Sequence, residues 1–311
     1  MTTAADSRPV SYTRRRSGSY GSEAPCRERP PVPPHVRTPG LSLPSATAAW
    51  DDLVTLDSTA RGREFLPPQT TASVRAMTMT TRQGDQAVTV GATDRGDGLF
   101  DSADPWRHMS WRTTQRNRPG LEYLVSTGRH HAYESQQERR LLQILDFDGR
   151  VVDALSQPLL LRFHDGLRRR EHTPDLLART DDGQTLLLNV KPPTRMDDVH
   201  RTAFAACDRL AEARGWRHEV VTGWVEPARS TVDALSARRR PDPDTFGLVP
   251  EIVAALADGP VRFGALVELT RVPAIARAVA IGLLWRRVLS VDLAAPLGDA
   301  SPVVRADQVV S

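Results

Sequence analysis

Two short segments constrain this 311-residue chain more than any other: Thr173-Pro174-Asp175 and, fourteen residues beyond Asp175, Asn189-Val190-Lys191-Pro192. The residues between are apolar at both ends and carry Asp182-Gly183 in the middle. That pattern predicts two neighbouring strands joined by a tight turn, with polar groups delivered to one point. Side chains two apart on a strand leave the same face, which places Asn189 with Lys191. Of the 41 lysines and arginines, Lys191 is the only lysine. An arginine cannot stand in where a compact ammonium must orient water or titrate, because its head is a planar fork that stays charged. The plain alternative is a lysine that has survived by chance at a strand end.

The flanking sequence supplies the rest of a layered unit. Ser135 can cap a helix, Glu138 follows three residues later, and Leu141, Leu142 and Leu145 form its apolar stripe. Glu134 and Glu138, four apart, share a face of that helix, and either could act as a ligand. After Gln157-Pro158 a strand over Leu159–Phe163 turns at Asp165-Gly166 and returns over Arg168–Leu177 with Asp175 on it. Thr185–Lys191 follows as a third strand, then a helix over Val199–Ala213 stopped by Gly215, then a strand over Glu219–Val225. Helix, three-strand meander, helix and strand give an α/β fold, a mixed sheet flanked by helices, over residues 105–229.

The remaining sequence divides by composition. Residues 1–104 contain Arg14-Arg15-Arg16, a proline-rich run at 30–34 and few aliphatic residues, so they are expected to be mostly disordered and dispensable. The arginine run is either a basic arm for DNA or a solvated tail. Trp106, Arg107, Trp111, Arg112 and Arg116 interleave rings with cations, which suits either phosphate contact with stacking or a strap packed on the catalytic unit. Residues 230–246 read as a linker. Residues 247–311 show three short helical segments and then a hairpin, resembling a winged helix, with a protein-docking module as the alternative. Within that unit Arg271 and Arg277 could reach phosphate. Cys26 and Cys207 fit neither a disulfide framework nor a zinc site. No apolar run approaches the ~18 residues of a membrane span and no signal peptide opens the chain, so a cytoplasmic protein without membrane partners is expected. The net charge of +3 and pI near 9.2 permit nucleic acid without requiring it.

A helix carboxylate, a strand carboxylate, a neighbouring strand and a lysine are what metal-dependent phosphodiester hydrolysis needs. Mg²⁺ (or Mn²⁺) is a hard ion that takes oxygen ligands, and the transition state requires charge relief. Asp175 is then the central ligand and Glu138 a second. Lys191 orients the attacking water or neutralises the scissile phosphate. The pattern is that of PD-(D/E)xK nucleases.

The run His131–Lys191 more closely resembles the TnsA family, the endonuclease subunit of heteromeric cut-and-paste transposases. Ser135-Gln136-Gln137-Glu138 is similar to the Ser-x-x-Glu of its first catalytic helix. Asp146-Phe147-Asp148, Gln157-Pro158, Thr173-Pro174-Asp175 and Asn189-Val190-Lys191-Pro192 fall where that family has its acidic turn, its Gln, its metal-binding Asp and its x-Val-Lys-Pro signature. The resemblance covers about residues 105–225, and the C-terminal helices more loosely. It implies a restriction-endonuclease-like fold and Mg²⁺-dependent cutting of the 5′ strands at transposon ends. The implied site is Glu138, Asp175, Asn189 and Lys191, with Asn189 an amide where most PD-(D/E)xK enzymes carry an acid. It also implies two partners besides DNA, a DDE-type transposase subunit and an AAA+ ATPase regulator. The competing expectations are a stand-alone nuclease of repair or defence type and a non-catalytic DNA-binding assembly subunit.

Overall fold

A computed structural model describes residues 42–94, 103–107 and 118–309. After a 3-10 turn at Trp50–Asp52, β1 (Val54–Leu56) leads through the 3-10 turns Ser58–Arg61 and Arg63–Phe65 to α1 (Thr71–Arg75) and the hairpin of β2 (Thr78–Gln83) and β3 (Gln86–Gly91). A second hairpin, β4 (Gly120–Leu124) and β5 (Arg129–Tyr133), precedes α2 (Gln136–Asp148). Next come β6 (Val151–Ser156), β7 (Leu160–His164), β8 (Arg169–His172), β9 (Leu176–Thr180) and β10 (Thr185–Val190). They are followed by α3 (Asp198–Arg214), β11 (Arg217–Trp224) and α4 (Ala228–Ser236). The last elements are α5 (Leu248–Ala254), β12 (Val261–Arg262), α6 (Phe263–Glu268), α7 (Pro273–Trp285), β13 (Leu289–Ser290) and β14 (Pro302–Arg305).

The central sheet has the order β1-β11-β10-β9-β6. It is mixed: β10 runs parallel to β11, and the other pairs are antiparallel. Parallel neighbours need a crossover, and α3 supplies it. The Leu186-Leu187-Leu188 run is apolar throughout because both faces of β10 are covered. Leu186 and Leu188 share a core with Leu141, Leu142 and Leu145 of α2, whereas Leu187 joins Ala206, Cys207 and Leu210 of α3 on the other side. Both helices start and stop on local signals. Ser135 caps α2 and Asp197 caps α3, and each ends at a left-handed glycine, Gly149 and Gly215.

Three expectations are corrected. The meander does not continue through Pro174. Proline has no N–H for a ladder, and the chain changes sheets there. β7 and β8 belong to a second sheet of order β3-β2-β7-β8, while β9 belongs to the central one. β6, absent from the sequence pattern, pairs with β9 as the opposite edge.

The segment 1–104 is not uniformly disordered. Residues 42–94 contribute β1 to the central sheet and β2 and β3 to the second, and Trp50, Leu53 and Val54 are buried in the main core. A few well-placed apolar residues outweigh the low average. The arginine and proline-rich runs lie outside the described residues.

The 230–246 linker loses its first part to α4, whose Val232 and Leu235 pack in the same core as α2. That core extends to the C-terminal helices. Phe147 meets Trp285 edge-on with ring centroids 5.3 Å apart, and Arg287 donates to the carbonyls of Phe147 (2.9 Å) and Ala48 (2.8 Å). The C-terminal segment itself is three helices and a small antiparallel sheet of order β12-β14-β13. No described helix is long and apolar enough to cross a membrane.

Candidate active site

The site forms where the change of sheet brings the start of β9 against the first turn of α2. Glu138 and Asp175 line one small pocket, walled by Ala132, Leu141, Leu142, Ser156 and Leu176. Glu138 is also part of its helix cap. Its carboxylate accepts from the Glu134 N–H (2.8 Å) and the Ser135 hydroxyl (2.8 Å), while Ser135 Oγ accepts from the Glu138 N–H (3.2 Å). The cap therefore fixes the side chain that faces the pocket. Glu134 instead pairs with Arg107 at 3.4 Å, so of the two glutamates the pocket receives Glu138.

Asp175 is half-buried, and the Val190 N–H donates to its Oδ2 at 2.7 Å. Burial, and then the neighbouring Glu138 carboxylate, push Asp175 up to about 7; the Val190 N–H and the charge of Lys191 pull the other way. Glu138 is likewise raised, chiefly by burial, against the Glu134 N–H and the Ser135 hydroxyl. Lys191 lies just past the end of β10, half-buried, with its N–H bonded to the Val221 carbonyl at 2.9 Å. Two carboxyl groups whose proton affinity is raised, that of Asp175 partly by Glu138, make a site that favours an added cation.

Asn189 is not part of that pocket. It is completely buried, and both ends of its amide are engaged on the α3 side of the sheet. His172 Nε2–H donates to Oδ1 at 3.0 Å, and Nδ2–H donates to His218 Nε2 at 3.0 Å. This direction of bonding leaves the His218 proton on Nδ1, 3.5 Å from Asp208 Oδ1. Asp208 in turn pairs with Arg63 and, at 3.9 Å, with Arg61. Burial holds the His172 imidazole down at about 4 and His218 below its usual range, so both are neutral. Expected as a metal ligand, Asn189 instead has both ends of its amide bonded to histidines. It ties β8, β10 and β11 together.

The arginines expected to face DNA fare similarly. Arg107 pairs with Glu134, Arg271 with Glu251 (3.0 Å) and Arg277 with Asp299 (2.7 Å) at the surface. Arg112 and Arg116 lie outside the described residues. Of the two readings of that stretch, the strap has support: the Trp106 N–H donates to the Gln157 carbonyl (2.8 Å), and the Gln157 N–H to the Asp175 carbonyl (2.9 Å).

Sequence reasoning missed His218, Asp208 and the geometry of Gln157. One signal was available for the first two. An amide inside a leucine run must find buried partners, and β11 has His218 at an inward position. Gln157 is a non-glycine residue at φ 48° and is 2% exposed, a left-handed conformation that costs energy and collects at functional sites.

The residues present suit a hard divalent cation held by two carboxylates. In the pocket lining Ser156 Oγ is buried without a hydrogen-bond partner, as are Gln157 Oε1 and Thr173 Oγ1 close by in the chain, as expected of groups that serve ordered water or a bound ion. Among the described residues no group of three His, Cys, Asp or Glu could hold a metal, so substrate oxygens and water would complete the shell.

Comparison with known families gives one match: residues 148–223 fit the TnsA-like endonuclease N-terminal family. The matched span is about a quarter of the chain; it contains Asp175, Asn189 and Lys191 and begins ten residues after Glu138. No curated protein matches the chain. The chain thus carries a partial TnsA-like domain that relates it to the PD-(D/E)xK nucleases.

Proposed function

We propose that this protein is a divalent-metal-dependent DNA endonuclease, the strand-cutting subunit of a heteromeric cut-and-paste transposase. The observation that carries the reading is the pairing of Glu138 and Asp175 in one pocket beside the only lysine of the chain. Glu138 and Asp175 would hold Mg²⁺ or Mn²⁺, which when bound supplies Lewis-acid polarisation of the phosphate and neutralises developing charge. The chain's own groups do the rest. The Val190 N–H aims the Asp175 carboxylate, and the Ser135 cap aims Glu138. Lys191 offers three rotatable donors to the attacking water and a non-bridging phosphate oxygen. Asn189, clamped between two neutral histidines, holds the end of β10 in register.

The resemblance to the transposase family supports cutting of the 5′ strands at transposon ends in a cytoplasmic complex with a DDE-type transposase and an AAA+ ATPase. In the same reading the C-terminal helices and β12-β14-β13 sheet are a winged-helix-like unit. A donor set of only two carboxylates also favours a second reading, a DNA-binding assembly subunit without catalysis. Nicking of supercoiled plasmid in Mg²⁺ separates them, with the transposase and ATPase subunits added. Wild type should nick, and Glu138→Ala, Asp175→Ala and Lys191→Ala should not. Equal nicking by wild type and Asp175→Ala refutes the active-site assignment; no nicking by wild type in the full complex leaves the assembly role.

A further inference from the structure

The hairpin of β7 and β8 is rooted at the catalytic pocket at both ends. Ser156, which lines the pocket, and Gln157, bonded to Asp175 through the backbone, precede it; Pro174-Asp175 follows it. Leu167 at its tip is 92% exposed, the most exposed large apolar side chain among the described residues. A floppy loop would fold such a leucine back, but this tip is braced. The Asp165 carboxylate accepts from the N–H groups of Leu167 and Arg168, both at 2.8 Å, and from Arg170 Nε at 2.5 Å. The Asp165 N–H closes the turn onto the Arg168 carbonyl at 3.1 Å. Gly166 has φ +99° and lies so close to Pro67 that a Cβ there would sit 2.9 Å from its ring. Leucine is therefore held outward by construction.

The charge beside it is free as well. Arg168 and Arg169 are exposed, and their side chains make no ion pair or hydrogen bond among the described residues. Asp165 is consumed by its own turn and Arg170, and Glu171 pairs with Arg162 at 2.7 Å. An unpaired cation pair next to a rigid, solvent-facing leucine is unlike the arginines elsewhere at the surface that pair with acids. A single apolar side chain beside cations matches a minor-groove wedge, in which the leucine presses on a base step while guanidinium groups take flanking phosphates.

We propose that the β7–β8 tip is a duplex-DNA contact, with Leu167 entering the minor groove and Arg168 and Arg169 on adjacent phosphates. Eight residues separate Leu167 from Asp175. At ~3.4 Å per strand residue the tip reaches at most about 27 Å from the pocket, roughly eight base pairs along a duplex from the cut phosphate. The inference rests on the nuclease reading for its geometry, but its test does not need cleavage.

The full-length protein is titrated with a fluorescent duplex in EDTA over a range of salt. Arg168→Ala/Arg169→Ala should weaken binding and lower the slope of log affinity against log salt by about 1.8, the value for two lost phosphate contacts. Leu167→Ala should weaken binding about tenfold with the slope unchanged, as for one lost apolar contact. Circular dichroism of the variants should match wild type, since all three side chains are exposed. Wild-type affinity and slope in the double variant overturn the proposal and leave the tip to a protein partner, as does a wild type that does not bind duplex. Neither result bears on Asp175-dependent nicking, which is scored separately in Mg²⁺.

Discussion

Replacing Asp175 with asparagine makes the metal-free protein gain stability relative to wild type as pH rises. Burial, and next the Glu138 carboxylate, push the Asp175 carboxyl in the folded protein up to about 7, whereas in the unfolded chain it ionises near its usual 3.8. The folded state therefore holds this proton more tightly. The stability it contributes is full below pH 4 and is lost as pH rises through about 7. Each pH unit between those limits is worth about 1.4 kcal/mol, so wild type should lose about 2–3 kcal/mol from this group between pH 5 and pH 8. The asparagine variant has no such group, and it also frees Glu138 of a like-charged neighbour. His172 and His218, whose imidazoles are held low by burial, tilt stability the other way in both proteins and cancel in the difference. The assay is urea unfolding in EDTA at pH 5, 6, 7 and 8. A gap between the proteins that widens toward pH 8, and that Mg²⁺ narrows by stabilising wild type, is expected. A pH-independent gap would refute the coupled-carboxylate account.

Lys191→Arg should cut at least about 10²-fold more slowly than wild type in single-turnover assays, because the longer planar head displaces the groups it must orient, while duplex affinity changes little. Urea unfolding should place Gln157→Gly within about 1 kcal/mol of wild type, since glycine accepts φ 48°, and Gln157→Val about 1–3 kcal/mol below it. Trp50→Ala should cost about 3–5 kcal/mol in the same measurement, because Trp50 is 2% exposed in the main core; a neutral result would return the N-terminal segment to the status of a dispensable tail.

Much of the fold and part of the site are legible in the sequence, for identifiable reasons. α2, β10 and α3 carry their own boundaries: a Ser or Asp cap, a leucine run and a terminal glycine act within a few residues of the elements they define. Glu138 and Asp175 could be placed because each sits beside such a signal. What was not legible depends on partners distant in the chain. β1 is three residues long and is a strand only because β11 offers it an edge. The sheet change at Pro174 requires β2, a pairing across some eighty residues. Alternation grouped Asn189 with Lys191, but the partners of the Asn189 amide, His172 and His218, come from β8 and β11 and could not be read from β10 alone. The ion pairs of the arginines were hidden for a related reason, since charge in sequence does not reveal whether an acid waits beside it, as Glu251 does for Arg271 and Asp299 for Arg277.

The most direct test of the two-carboxylate site is Mn²⁺ binding to the free protein, followed by electron paramagnetic resonance as the ion is titrated at pH 8. Wild type should bind one Mn²⁺ at the pocket. Asp175→Asn should abolish that signal, and Asn189→Ala should keep it, because the amide is engaged by His172 and His218 and not by the ion. Binding that survives Asp175→Asn, or that disappears in a folded Asn189→Ala, would contradict the site described here.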